Sequence, residues 1–383
     1  MRRYLLLSAS MGSGHLDVAG ELRRRLTERG DDARVVDILA VMPFGLGAAL
    51  RSGYSAMLRR TPWLYDAIYR SFFIPRRGVE LRADPLVAAA TPAVRSLIER
   101  AEPDVVVSVF HLCAQIAGGL RARGELTAHS TVVVTDFVAH RLWLHPGNDA
   151  ILCVHPEVAA DAAAYTGVPA VAPGPVVPPA FMAAAAPDDE VRARVRRQLQ
   201  LPPDDPVVLM SAGAWGSGRV EEAVGAVLRR RSLLRRPVVV LCGRNEQLRA
   251  AVQSRYGDRV RALGWRDDVA DLMRACDVLV ENAAGQTAMQ AFAVGLPVVT
   301  HAPIPGHGRD GARRMHSLGV SYYARSADEL TAVLYDLARR DSAARARLVA
   351  AGRALFTADP ATMLAAEPVR RVLQHSAGRP PDR

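Results

Sequence analysis

Short runs of Val, Leu and Ile without polar alternation recur along this chain, each followed by a longer amphipathic stretch. Tyr4–Ser8, Asp104–Phe110, Thr131–Thr135 and Ile151–Val154 are such runs in the first half. Val207–Ser211, Val238–Cys242, Val278–Val280 and Pro297–Thr300 are such runs in the second. A strand buried on both faces needs no polar side, so these read as parallel strands covered by helices. Helical patterns over Leu16–Arg29, Ala88–Ala101, Val220–Arg230 and Thr287–Val294 lie between them. The alternation predicts βαβ units and doubly wound α/β sheets. A length of 383 residues holds two such domains. The proline-rich stretch Pro173–Pro187 is the natural linker. The expected division is 1–177, 178–358, and a 359–383 tail. That tail holds a helix over Ala361–His375 packing back on the first domain, then a Pro/Arg segment expected to be disordered.

Several function classes are excluded or demoted. All 49 basic residues are arginine, so no mechanism can use a Schiff-base or P-loop lysine. Cys113, Cys153, Cys242 and Cys276 lie far apart without a CxxC pair, which argues against a disulfide framework or zinc ribbon and for a reducing compartment. No apolar run reaches the roughly 18–20 residues that span a bilayer. The opening MRRYLLLSAS has too short an apolar stretch for a signal peptide and reads as a buried first strand. The net charge of +10 points to acidic partners: nucleic acid, nucleotides or an anionic membrane. The surplus is +2 over residues 1–178 and +8 over 179–383, much of it in helix faces such as Arg192–Arg197 and Arg229–Arg236. It is diffuse and no nucleic-acid motif accompanies it, so nucleic acid is the weakest partner.

Four loops carry the candidate chemistry. Ser10-Met11-Gly12-Ser13-Gly14-His15 joins the first strand to the first helix. Gly12 and Gly14 permit a tight turn and close backbone approach, and a helix N-terminus favours an anion. The third glycine of GxGxxG is missing. His15 would sit at the cleft edge as a base toward a hydroxyl, its ordinary pKa lying near working pH; taken alone, it reads equally as a capping histidine without chemistry. Thr135-Asp136-Phe137, His140 and Trp143 follow another strand, where ligands of open α/β sheets bind. Asp136 can orient a base or a sugar hydroxyl, or merely cap a turn beside a core tryptophan. Ser211-Ala212-Gly213-Ala214-Trp215-Gly216-Ser217-Gly218 can cradle a diphosphate with backbone N–H groups. The fourth spans Gly264-Trp265 to Gly308: Glu281-Asn282-Ala283-Ala284-Gly285-Gln286-Thr287, Gln290 and Pro303-Ile304-Pro305-Gly306-His307-Gly308. Thr287 lies at another anion-binding helix start, Gln290 within reach of a ribose, and the stiff proline loop can hold a polar group against a sugar.

The segment from 41 to 82 is compositionally distinct. Phe44, Tyr54, Trp63, Tyr65, Tyr69, Phe72 and Phe73 are seven of the chain's 21 aromatics. Arg51, Arg59, Arg60, Arg70, Arg76, Arg77 and Arg82 stand against Asp66 and Glu80, a local +5. Such a segment suits an anionic headgroup layer or a greasy acceptor, single-stranded nucleic acid, or a plain core with a solvated face.

In order, SASMGSGH, TDFVAHRLW, GPVVPPAF, SAGAWG, LCGRN, LGWRDDVADL, AAGQTAMQAFAVGLPV and PIPGHG resemble the family of monogalactosyldiacylglycerol synthases and processive diacylglycerol glucosyltransferases, related to the N-acetylglucosaminyltransferase that makes lipid II. The resemblance covers nearly the whole chain. It implies a GT-B fold, with two Rossmann-like domains facing a cleft, an acceptor-binding N-terminal half and a UDP-sugar-binding C-terminal half. It also implies a metal-independent, inverting glycosyl transfer to a hydroxyl of a lipid or lipid-like acceptor, with the UDP-sugar a substrate and no cofactor. The enzyme would be cytoplasmic and peripheral on the inner membrane face. His15 then matches a base or acceptor-orienting group, with Asp136 as second catalytic candidate and Gly12, Gly14, His140 and Trp143 around the acceptor. Ser211, Gly213, Trp215, Arg244, Gly285, Gln286, Thr287 and His307 fall on the donor side, with Trp265 beside the uracil. Gln290 stands where the family has a ribose-binding glutamate. The chain departs from the family's Lys-Pro-Gly-Gly type loop at Glu281–Gly285, and from its Gly-Gln-Glu at Gly306–Gly308. A tailoring enzyme for an amphiphilic secondary metabolite, and an inactive nucleotide-sugar-binding scaffold, are the alternatives these departures raise.

Overall fold

The computed structural model describes residues 1–74, 84–182, 188–229 and 238–366. Two all-parallel sheets of six strands organise them. The first comprises β1 (Arg3–Ser8), β2 (Asp32–Asp37), β3 (Val105–Ser108), β4 (His129–Val133), β5 (Ala150–Leu152) and β6 (Ala170–Val171), in the order β2-β1-β3-β4-β5-β6. The second comprises β7 (Val208–Ser211), β8 (Val238–Leu241), β9 (Val260–Leu263), β10 (Val278–Glu281), β11 (Val298–His301) and β12 (Tyr322–Ala324), in the order β12-β11-β10-β7-β8-β9.

The unalternated apolar runs have their physical cause in these sheets. Leu5, Leu7 and Val106 enter one core, and their neighbours Tyr4, Leu6 and Val107 enter another on the opposite face. The second sheet repeats this, with Leu209, Val239 and Leu279 on one side and Val208, Val240 and Val280 on the other. At about 1.5–3 kcal/mol per fully buried aliphatic side chain, both faces select apolar residues, and polar ones such as Ser8, Ser108 and Glu281 stand at the strand ends. The edge strand β2 is only partly buried and includes Asp32, Arg34 and Asp37, so its apolar signal is diluted.

The apolar runs also extend past several ladders. Val109, Phe110, Val134 and Cys242 follow their strands and are buried at the mouths of the sheets. The strand order reverses between β1 and β3 and between β7 and β10. Open α/β sheets leave a crevice at such switch points.

Pro173–Met182 leaves the first sheet and crosses the returning C-terminal segment. Gly174 has φ +107°, and a Cβ there would stand 2.0 Å from the Leu355 carbonyl oxygen, so only glycine fits the crossing. Thr357 and Ala358 donate backbone hydrogen bonds to the Pro173 carbonyl. The Pro360–Ala365 helix then packs Ala361 and Leu364 among Tyr4, Leu22 and Leu26, and Asp359 pairs with Arg25 at 2.8 Å. The expected helix beyond 366 lies outside the described residues, as do 183–187 of the linker. Among the described residues no helix is long and apolar enough to cross a membrane.

Candidate active site

β1 turns through residues 9–13 into the Gly14–Glu28 helix, with Gly12 at φ +90°. Ser13 makes no side-chain cap, which leaves first-turn N–H groups for a ligand. His15 lies on that first turn. Its Nδ1 is 3.4 Å from Thr135 Oγ1, and its ring meets Phe110 edge-on at 5.1 Å. Burial pulls the His15 pKa below 6.5, against the opposing charge of Asp136 and a backbone hydrogen bond at Val109. The imidazole is therefore neutral at pH 7 and able to take a proton.

Asp136 follows β4, and its Oδ2 accepts a 2.9 Å hydrogen bond from Trp143 Nε1. Trp143 is fully buried, so its part is to hold the carboxylate and not to line the cleft. His140 Nε2 lies 4.0 Å from the same oxygen. Burial depresses the His140 pKa far below 6.5 and takes that of His111 down to about 3. The two imidazoles pack 5.2 Å apart against Phe73 and Trp143.

On the opposite side, the loop after β7 places Gly213, Gly216 and Gly218 at positive φ. A Cβ on Gly243 would meet the Gly213 carbonyl oxygen at 2.3 Å, so this loop packs backbone to backbone on the one after β8. Asn245 Nδ2 donates to the Gly216 carbonyl at 3.0 Å, and Asn282 Nδ2 to that of Ser217 at 2.8 Å. After β10 the chain passes through Ala284, at φ +52°, into the Gln286–Val294 helix, which has no side-chain cap. Glu281 holds that turn: its carboxylate accepts from the Ala283 and Ala284 N–H groups at 2.7 Å each and from the Thr300 hydroxyl. Burial raises its pKa, against these bonds. The departure at Glu281–Gly285 is thus a pinned turn that presents open helix N–H groups.

These loop ends enclose a cavity of about 1430 Å³ between the sheets. From the first half Gly12, Gly14, His15, Asp136 and His140 line it. From the second, Gly213, Trp215, Gly285, Gln286, Thr287 and His307 do. Five expected residues stand outside its wall: Trp143, Ser211, Arg244, Trp265 and Gln290. Ser211 Oγ accepts from the Gly213 N–H at 3.2 Å. The Arg244 guanidinium lies 3.5 Å over the half-exposed Trp265 ring. Gln290 is partly exposed one turn along its helix.

The 41–82 segment splits in two. It forms the Leu46–Arg60 and Pro62–Phe72 helices, from which Tyr54 and Tyr65 turn into the cleft. Tyr54 packs on Trp215 at 5.9 Å, and the Tyr65 hydroxyl lies 2.7 Å from His307 Nδ1. Phe44, Trp63 and Phe72 remain exposed. Arg76, Arg77 and Arg82 lie outside the described residues. Sequence alone does not mark the inward-facing Tyr54, Tyr65 and Tyr69 or the buried His111 as site residues. The i, i+4 spacing of Tyr65 and Tyr69 was the available signal, obscured by exposed aromatics between and beside them.

Residues 15–171 match the monogalactosyldiacylglycerol (MGDG) synthase family, and residues 208–340 match glycosyl transferases group 1. A processive diacylglycerol β-glucosyltransferase of Bacillus cereus (strain G9842) is 24% identical over 355 residues, covering 86% of this chain and 84% of the relative. Among solved structures, MurG of Acinetobacter baumannii superposes with a TM-score of 0.59 at 15% identity, over 97% of this chain and 100% of that one. A UGT transferase from Siraitia grosvenorii in complex with UDP gives 0.59 at 13% identity, over 98% and 99%. The two parallel sheets around a cleft are the GT-B fold, and the chain is a glycosyltransferase whose first half matches the monogalactosyldiacylglycerol synthase model and which is similar along most of its length to processive diacylglycerol glucosyltransferases.

Proposed function

We propose that this enzyme transfers a sugar from a UDP-sugar to the hydroxyl of a diacylglycerol-type lipid, with inversion and without a metal. Residues 1–177 serve as the acceptor half and 178–358 as the donor half. The supporting observation is the meeting of His15 and the uncapped start of the Gln286–Val294 helix in one cleft. The acceptor oxygen attacks the anomeric carbon as the bond to the UDP oxygen breaks, and neutral His15 takes the hydroxyl proton. Asp136 stabilises the resulting imidazolium. The helix N-terminus and the glycine turn of Ser211–Gly218 meet the charge developing on the diphosphate. Trp265, under Arg244, and Gln290 stand outside the cavity wall and are assigned to the nucleoside.

The lipid reading rests on one wall of the cleft. Ala49, Met57, Leu64, Ile68 and Phe72 line it from the two aromatic helices. Phe44, Trp63 and Phe72 are exposed in the same 43–72 stretch as the exposed Arg51, Arg59, Arg60 and Arg70, a composition suited to an anionic cytoplasmic leaflet. A panel of UDP-sugars tested with diacylglycerol in mixed micelles should release UDP and yield a glycolipid by mass spectrometry. A folded protein giving no transfer with any donor would refute the reading.

A further inference from the structure

The Pro62–Phe72 helix of the first half grips the loop that carries His307 in the second. Asp66 pairs with Arg309 at 2.7 Å. A Cβ on Gly306 would lie 2.8 Å from Tyr69 Cγ and 2.9 Å from Tyr65 Cε1, so the helix lies directly on the loop backbone. At the centre of this contact the Tyr65 hydroxyl is 2.7 Å from His307 Nδ1, with the two rings edge to face at 5.8 Å. A phenol is a far stronger acid than a neutral imidazole N–H, so the favoured arrangement is O–H donating to Nδ1. That leaves the proton of the neutral ring on Nε2, the only nitrogen free for a ligand in the cleft that His307 lines.

We propose that Tyr65 is a positioning residue: it fixes His307 as the Nε2–H tautomer, and so sets a single N–H donor against a hydroxyl of the donor sugar. This rests on the function proposed above. The sugar contact of the donor half is then completed by a residue of the acceptor half, and it exists only when the Pro62–Phe72 helix is docked. Tyr54 packs edge to face on the Tyr65 ring at 5.3 Å and on Trp215 at 5.9 Å, which braces Tyr65 from the donor side.

Two measurements on the full chain test this. Side-chain ¹⁵N–¹H spectra without substrate should show His307 as the Nε2–H form, and as a mixture of both tautomers in Tyr65→Phe. In kinetics, Tyr65→Phe should raise KM for the UDP-sugar by about twofold, the reciprocal of an Nε2–H population of roughly one half, with kcat changed far less. In a His307→Gln background, where an amide has no tautomer to fix, Tyr65→Phe should add nothing. An Nδ1–H form in the native chain, or an equal effect of Tyr65→Phe in both backgrounds, would overturn the proposal. If the native chain turns over no UDP-sugar, the proposed function fails, and the spectra alone decide the role of Tyr65.

Discussion

Gly14 and Gln286 touch across the cleft: a Cβ on Gly14 would lie 3.1 Å from the Cβ of Gln286. Two helix N-termini, one from each sheet, therefore meet at the site. Gln286 Nε2 fastens the approach by donating to the Val176 carbonyl at 2.8 Å. Gly14→Ala should push the helix starts apart by a few tenths of an ångström and lower kcat/KM by about tenfold while the fold survives. Steady-state kinetics beside circular dichroism would check it, and an unchanged kcat/KM would show that this spacing does not matter.

His15→Ala should lower transfer by on the order of 10²–10⁴-fold if His15 is the base. The base works neutral, and burial holds the His15 pKa below 6.5. The acid limb of kcat/KM should therefore fall below pH 6.5 and vanish in the variant. An acid limb above pH 7, or a variant near the native rate, would move the role elsewhere.

Glu281→Ala should destabilise the donor half and weaken UDP binding together. It strips two backbone N–H groups and the Thr300 hydroxyl of their acceptor, at about 1–3 kcal/mol for each group left buried and unpaired. Denaturant unfolding and UDP titration calorimetry read the two effects. Ala284→Gly should instead stabilise by up to about 1 kcal/mol, because residue 284 holds a left-handed conformation.

Stability should fall with acidification below pH 6.5. His111 titrates near 6.5 when unfolded but is held down to about 3 by burial, and His140 shifts the same way. Between those values the unfolded chain binds more protons, so stability is present above 6.5 and is lost toward pH 3. His111→Phe should flatten the drop in Tm between pH 7 and pH 5. An unchanged slope would assign the acid sensitivity to other groups.

Phe44→Ala combined with Trp63→Ala, two exposed residues outside the cavity wall, should reduce binding to anionic vesicles severalfold, while transfer to a water-soluble short-chain acceptor stays near the native rate. Salt should weaken the native interaction, since part of it is electrostatic. Flotation with phosphatidylglycerol vesicles measures this. Equal binding by both proteins would place the membrane contact on another face.

The two sheets were legible because both faces of each strand are buried: Tyr4–Ser8 and Val238–Cys242 could carry no polar alternation. The glycine turns at Gly12 and Gly213 were legible because positive φ selects glycine locally. His15 and Asp136, each at a strand's end, follow from the same local logic. The edge strands β2, β6, β9 and β12 were not legible, since partial exposure dilutes their pattern. The inward turn of Tyr65 and Tyr69, the hydrogen bond from Trp143 to Asp136, the His111–His140 pair and the placing of Gln290 and Trp265 outside the cavity were not legible either. Sequence by itself thus determined the elements, their order and the loops that can hold a charge, because period and backbone conformation are local properties. Only the tertiary structure decided which aromatics face the cleft and that Tyr65 of one half meets His307 of the other. Contacts between residues 242 positions apart depend on how the two sheets are set against each other, and no local pattern encodes that.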